Sequence, residues 1–397
     1  MQPWRTVPSS LHIMPWLLTM AVSLGCASGE PETPASGSRA PAVAPTPDPS
    51  PPVPEYELAE VEPSSLASDE VVRFLPTFGV RKGDTWRIPI EAWVFEPEYD
   101  DLSRRVVLEL LGEPLSLPAG SSSEATVRER LRLFVVDNER GEFVALRRGP
   151  HAARVGPTTP SGRARGAFAL PVDTPVPHEE RSWVELEVVV RDDDPRKFSA
   201  WAQLLEDEGV SVISDIDDTI KITNVLDRKA MLENTFVHDP VAVPKMAAAY
   251  ERWAGQGVAF HYVSASPLPL LDALVSFAKA EGFPRGSLAL RAFRWRPGEV
   301  LDLLAPSETY KRTAIANVIR VFEQRQFVLI GDAGERDPEV YAAIAEQFPG
   351  RVRAVYLRDP TPGGTPGLKA RLDAAFDGIE GLTPHVIIDG GDLPDSL

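Results

Sequence analysis

Two rhythms of apolar and polar positions divide the chain. From about Val71, short β-rich runs follow one another: Thr85–Val94, Arg104–Leu111, Leu131–Val136, Phe143–Arg147, Gly166–Leu170 and Trp183–Arg191. Gly, Pro, Asp and Asn punctuate them. Several alternate strictly, as in Val184-Glu185-Leu186-Glu187-Val188, the period of a strand with one buried face. This predicts a small all-β, sandwich-like domain over residues 67–198. From Ser199 the rhythm changes. Short apolar runs (Val210–Ser214, Val258–Ser264, Ser287–Arg291, Phe327–Ile330, Val352–Leu357) alternate with stretches of helical period. One such stretch is Pro267–Glu281, with Leu270, Leu271, Leu274 and Phe277 on one face. Another is Pro366–Ile379, with Leu368, Leu372, Phe376 and Ile379. The alternation predicts an α/β domain over 199–389, Rossmann-like, with a parallel sheet covered on both faces and a tail from 390 to 397. Ligands of such folds bind beyond the carboxyl ends of the strands.

The amino-terminal segment reads differently. Ile13 to Leu24 is mostly apolar, is broken by Pro15, and is too short to span a bilayer. It has the shape of an export signal over residues 1–25. Cys26, the sole cysteine, stands where a bacterial lipoprotein signal is cut. Ser23 and Leu24 depart from the usual leucine and small residue before such a cysteine. A lipid anchor at Cys26 is therefore expected, with an exported, cell-envelope protein held on a bacterial membrane. A linker over 26–66 follows, and ten of the 39 prolines fall between Pro31 and Pro63. One cysteine allows no intramolecular disulfide. The net charge of -17 argues against general nucleic-acid binding. Six histidines without ligand spacing argue against zinc.

The candidate chemistry lies at the ends of the predicted parallel strands. Asp215 and Asp217 follow Val210–Ser214 one residue apart, and like charges that close raise each other's proton affinity unless a cation holds them. Asp-rich turns also arise simply because Asp caps helices and stabilises turns. The pattern recurs, however. Phe327–Ile330 runs into Gly331-Asp332, with Asp337 five residues on; His261-Tyr262-Val263 ends in Ser264; Lys311 opens an apolar-periodic helix with Ile315, Val318, Ile319 and Phe322. Carboxylates, a hydroxyl and an ammonium together suit phosphoryl transfer, with a hard divalent cation on the carboxylates. Around Lys311 the sequence clusters Arg291, Arg294, Arg296 and Arg312, either a basic pocket or solvated surface charges.

The order Asp215-x-Asp217-x-Thr219, Ser264, Lys311, Gly331-Asp332-x-x-x-x-Asp337 resembles the four motifs of the haloacid dehalogenase superfamily. Ile216-Asp217-Asp218-Thr219-Ile220-Lys221, Tyr262-Val263-Ser264-Ala265-Ser266-Pro267 and the run from Gly331 to Tyr341 resemble its Mg2+-dependent phosphatidate phosphatases of the yeast actin-patch type. The resemblance covers roughly residues 200–380. Together with the charge placement it implies that Asp215 attacks phosphorus and that Asp217 works as acid and base. It further implies that Ser264 and Lys311 bind phosphoryl oxygens and that Thr219 orders the turn. Mg2+ is implied on Asp215, the Asp217 carbonyl and Asp332, with Asp337 or Glu335 supporting the metal or Lys311. Asp218 reads as a bystander or cap. The expected substrate is phosphatidate or a related lipid phosphate, entering over residues 221–240, unless that stretch is a helix packed on the core. The alternatives are a phosphatase for a soluble phosphomonoester and a non-catalytic surface-binding lipoprotein. The β domain carries no acid–base constellation and reads as a scaffold or substrate-presenting element.

Overall fold

The alternating runs of the first half form a nine-stranded, largely antiparallel sheet. The computed structural model of the protein describes residues 61–97, 122–174, 182–292 and 308–397, all within one compact unit, Pro51–Leu397. The strands are β1 (Val71–Phe74), β2 (Thr77–Lys82), β3 (Thr85–Glu96), β4 (Asp137–Asn138), β5 (Val144–Arg148), β6 (His151–Val155), β7 (Arg163–Pro171), β8 (Trp183–Val188) and β9 (Ser199–Leu205). β3 is the spine. One edge pairs with β7 from Thr85↔Pro171 to Trp93↔Arg163, and the other pairs first with β2 and then with β1. The sheet runs on through β9, β8 and β5 to β6. Its inward positions, among them Ile88, Ile90, Val94, Val184, Leu186 and Phe168, share one core. A Cβ at Gly166 would strike Val155, so β7 passes close against β6 and the sheet curls over its own core.

Within the β3–β4 connection lies α1 (Ser122–Leu131), followed by a 3-10 turn at Arg132–Phe134. The sequence predicts strand at Leu131–Val136, because Leu131, Leu133 and Val135 alternate. In the structure Leu131 closes the helix, and Leu133 and Phe134 turn into the core shared with the α/β half. The predicted strand Arg104–Leu111 lies outside the described residues.

The second sheet has six strands: β10 (Val210–Ser214), β11 (Ala259–Pro267), β12 (Ser287–Arg291), β13 (Gln326–Asp332), β14 (Val352–Arg358) and β15 (His385–Ile387). All are parallel, in the order β12-β11-β10-β13-β14-β15. The chain leaves β10 toward β11 and β12 and returns on its other side at β13, so β10 marks the point where strand order reverses. The crossovers carry α2 (Arg228–Leu232), α3 (Met246–Gly255), α4 (Leu271–Ala280), α5 (Glu308–Arg320), α6 (Asp337–Gln347) and α7 (Leu368–Ala375). Period two sorts the strand residues onto the two faces. Val212, Val328 and Ile330 meet α3 and α4 residues such as Tyr250 and Leu274. Ile213, Phe327 and Leu329 meet α5, α6 and α7 residues such as Ile319, Ile344 and Leu372. Burial on both faces explains why these strands read as apolar runs rather than alternating ones.

Three expected boundaries move. β9 begins at Ser199 but belongs to the first sheet, pairing with β8 and, in parallel, with β2. The end of the expected linker is folded: Leu66 is buried, and Ser64 donates to the Val189 carbonyl (2.8 Å) and accepts from Ala145 N (2.9 Å). The tail is also fixed, since Leu393 is buried and Trp253 Nε1 donates to the Pro394 carbonyl at 2.9 Å. The halves meet at the amino ends of the parallel strands, where the Phe78 ring lies 4.9 Å from His261 and 5.5 Å from Phe322. Arg285 sits over Trp183 (4.4 Å) and Trp201 (4.6 Å) of the first sheet.

Candidate active site

β10 delivers Asp215 to the reversal point. Its backbone N–H still bonds to the Ile330 carbonyl of β13 (2.9 Å), which fixes the residue at the sheet edge. The side chain is buried. Oδ1 lies 3.1 Å from Lys311 Nζ, and Oδ2 accepts from the Thr219 hydroxyl at 3.2 Å. Burial pushes the Asp215 carboxyl well up; Lys311 pulls it back only in part.

Asp217 is held differently. Lys221 Nζ (3.2 Å) and the Thr223 hydroxyl (2.7 Å) donate to Oδ1, while the Ser264 (3.2 Å) and Ser266 (2.7 Å) hydroxyls donate to Oδ2. Burial raises its proton affinity, but Lys221 and these hydroxyls outweigh burial and hold the carboxyl below its usual range. The loop that supplies Thr223 is tied down by Asp218, whose carboxylate accepts from the backbone N–H groups of Thr223, Asn224 and Val225. Asp218 is thus a loop clamp rather than a helix cap, and its left-handed backbone (φ 53) turns the carboxylate toward those donors.

From the other side of β10, β13 brings Asp332. Its Oδ1 accepts from Gly334 N (2.8 Å) and Glu335 N (2.9 Å), and burial raises its pKa to about 7. Asp337 stands behind, fully buried. It accepts from Lys311 Nζ at 2.7 Å and from Asp332 N at 3.0 Å, so it orients both neighbours. Gly331 is required here, because a Cβ would collide with the Asp337 carboxylate and the Tyr341 hydroxyl. Glu335 reaches Lys311 at 3.4 Å, and burial raises its pKa to about 8. Burial opposes the charge on Lys311, yet Asp215, Asp337 and Glu335 together hold it charged.

All of Asp215, Asp217, Thr219, Ser264, Lys311, Asp332 and Asp337 therefore gather at the carboxyl ends of β10, β11 and β13. The sequence reading missed Ser266, Thr223 and Lys221 as partners of Asp217. Only Ser266 carried a signal, its place beside Ser264 at a strand end. Of the basic cluster, Arg294 and Arg296 lie outside the described residues and Arg312 is exposed. A cavity of about 40 Å³ opens over the site. Asp215, Asp217, Ser264, Ser266 and Lys311 line it, together with Val225, Met231 and Thr235. A larger cavity of about 560 Å³ lies against β5, β6 and β8, apart from these residues.

The donor chemistry fits a hard divalent cation. Carboxyl groups outnumber the ammonium groups of Lys311 and Lys221, and burial drives Asp215 and Asp332 up for want of positive charge. Among the described residues no trio of acidic, histidine or cysteine side chains is preformed as a metal cage. Such an ion would rest on the Asp215 and Asp332 carboxylates, main-chain oxygen and water.

At its reversal point the doubly wound sheet thus presents a buried aspartate, a paired lysine and a second aspartate. Residues 210–359 match the family described as "Phosphatidate phosphatase APP1, catalytic domain". The chain is 36% identical to Phosphatidate phosphatase APP1 of Saccharomyces cerevisiae over 172 residues, 42% of this chain and 28% of that protein. It is 30% identical to an uncharacterized protein of Schizosaccharomyces pombe over 168 residues, 41% of this chain and 27% of that one. The chain thus spans less than a third of the length of these relatives. Among solved structures, D,D-heptose 1,7-bisphosphate phosphatase from Burkholderia thailandensis matches at 17% identity and a TM-score of 0.25, covering 46% of this chain and 94% of that one.

Proposed function

We propose that the protein hydrolyses phosphatidate or a related lipid phosphate through an aspartyl-phosphate on Asp215. The observation that carries this reading is the pairing of Asp215 with Lys311 at 3.1 Å, one residue from an Asp217 held by four donors. The resemblance of residues 210–359 to the phosphatidate phosphatase catalytic domain supports the substrate class.

The Asp215 carboxylate forms a bond to phosphorus as the ester oxygen leaves. Lys311 neutralises the phosphoryl oxygens, and the Ser264 hydroxyl, beside it in the cavity, donates to one of them. Asp217 gives its proton to the leaving oxygen. It then takes one from the water that opens the acyl-phosphate, so the proton count closes over the cycle. At rest Asp217 is ionised; an arriving phosphate dianion, a like charge, raises its proton affinity so that it takes up a proton from solvent on substrate binding, and returns one to solvent when phosphate leaves. Mg2+, when bound at Asp215, Asp332 and the Asp217 carbonyl, supplies further neutralisation of the phosphoryl group. Asp337 fixes the Lys311 ammonium and the Asp332 backbone. Attachment to a membrane through a lipid at Cys26 belongs to the same proposal, and Cys26→Ser should then release the protein from the membrane pellet.

The small cavity favours one competing reading, a phosphatase for a compact soluble phosphomonoester. A panel comparing phosphatidate in mixed micelles with small phosphomonoesters, each with and without Mg2+, separates the two. Phosphate release from phosphatidate that depends on Mg2+ supports the proposal. Release from small esters alone favours the second reading, and no release from either rejects both.

A further inference from the structure

The helical side of the catalytic cavity's wall is braced by α1 and the 3-10 turn after it, in the β3–β4 connection. Val225, Met231 and Thr235 belong to that wall, and they stand on the segment formed by the clamped loop, α2 and a π turn at Glu233–Val237. Single π turns concentrate at functional sites because they widen the helix and re-aim its side chains. This one leaves its last carbonyls without helical partners. Arg130, on α1 of the β3–β4 connection, supplies a donor: Nη1 lies 2.5 Å from the His238 carbonyl and 3.4 Å from that of Thr235. Phe134 packs edge-on against Phe236, with centroids 5.7 Å apart, and Val127 and Leu131 share the core that contains Met231, Leu232 and Phe236. From the π turn, Asn234 Nδ2 donates to the Thr223 carbonyl (3.2 Å), and the Thr223 hydroxyl reaches Asp217 (2.7 Å). A continuous chain of contacts therefore runs from Arg130 through the cavity wall to the candidate acid–base residue.

We propose that Val225, Met231 and Thr235 form the subsite for an apolar leaving alcohol, and that Arg130 is the positioning residue that holds this wall from α1. The inference rests on the phosphatase reading above and extends it to the part of the substrate beyond the phosphoryl group. The side chains have the chemistry for this role, since two apolar surfaces accept hydrocarbon and one hydroxyl can meet an ester oxygen at its root. Arg130 itself touches the Thr235 and His238 carbonyls and pairs with Asp239 at 3.6 Å, and it does not line the cavity, so it acts through the wall. Loss of a binding contact made equally in ground and transition states raises KM and spares kcat.

The test is steady-state kinetics on the full chain with a short-chain phosphatidate and with glycerol 3-phosphate, which present the same ester linkage with and without acyl chains. Inorganic phosphate serves as competitive inhibitor. Arg130→Ala should raise KM for the short-chain phosphatidate about tenfold, as expected for removing a charged hydrogen-bond donor, with kcat held within about twofold. KM for glycerol 3-phosphate and the inhibition constant of phosphate should not move, and Arg130→Lys should recover part of the loss. Thr235→Val, which keeps the backbone carbonyl that Arg130 grips but removes the hydroxyl, should raise KM for the lipid ester alone. Equal changes for both substrates, or none in either variant, overturn the assignment, as does a wild type that hydrolyses glycerol 3-phosphate but no phosphatidate. A wild type that hydrolyses neither ester removes the phosphatase reading itself, and this inference with it.

Discussion

Replacing Lys311 with methionine keeps the length of the side chain and deletes the cation that three buried carboxyl groups share. In the native structure Nζ lies 2.7 Å from Asp337, 3.1 Å from Asp215 and 3.4 Å from Glu335, and all four residues are buried. At an effective dielectric of about 20, a unit pair at about 3 Å carries a gross attraction of about 5 kcal/mol. Desolvation offsets much of that in the wild type, but removing one partner leaves the others buried and unpaired. Breaking such a pair costs about 3–5 kcal/mol. We expect that loss in urea unfolding at neutral pH with chelator present, together with a fall in kcat of about 10²–10³, the range for losing one preorganised donor to a developing anion. The loss should depend on pH. Without the lysine, burial holds the Asp215 and Glu335 carboxyls above their unfolded values in the folded state. The penalty is then absent below about pH 4, where both states are protonated, grows as pH rises above the unfolded values, and levels off once pH passes the raised folded values. Adding Asp337→Asn should return part of the stability, because one stranded charge is gone. A single variant that loses less than about 1 kcal/mol, or whose loss is the same at pH 4 and pH 7, would show that the carboxyl groups do not depend on this lysine.

Three further outcomes follow from the same geometry. Asp217→Asn should slow turnover strongly for alkyl phosphates and much less for activated aryl phosphates, whose leaving oxygen needs no proton; equal losses in a leaving-group series would argue against acid catalysis by this residue. His261 is buried neutral between the Ser287 and Ser211 hydroxyls (2.7 and 3.2 Å), and burial lowers its pKa to about 3. The unfolded state takes a proton below about pH 6.5 and the folded state does not, so this residue's share of stability is complete above 6.5 and falls by about 1.4 kcal/mol per pH unit toward 3. A His261→Gln variant should show a shallower decline of urea midpoint between pH 6.5 and 4, and an unchanged slope would contradict the assignment. Chelation should abolish turnover and Mg2+ should restore it, while the fold persists by circular dichroism; full activity in chelator would exclude the cation.

The candidate site residues were legible in the sequence where an apolar strand runs directly into them. Asp215, Ser264 and Asp332 each end such a run, and Lys311 is anchored by the helical period of Ile315, Val318 and Ile319. Lys221, Thr223 and the clamp made by Asp218 were not legible, because they lie in an irregular loop whose contacts follow no period. The segment Leu131–Val136 misled for the opposite reason. Its alternation is real, yet the fold uses Leu133 and Phe134 in a 3-10 turn that only the distant Phe236 explains. β9 alternates as a strand of the first sheet should, with Ala200, Ala202 and Leu204 inward, but its partner β2 lies more than a hundred residues earlier in the chain. β15, with only three residues, is too short for any period to show.

The central claim, that Asp215 carries the phosphoryl group, is tested most directly by trapping the intermediate. The full chain should be mixed with phosphate-labelled phosphatidate and Mg2+, quenched in acid within a turnover, digested and mapped by mass. The account predicts label on the peptide containing Asp215, lost on treatment with hydroxylamine and absent in Asp215→Asn, which should also release no phosphate. Label on another residue, or phosphate release by Asp215→Asn at the wild-type rate, would contradict it.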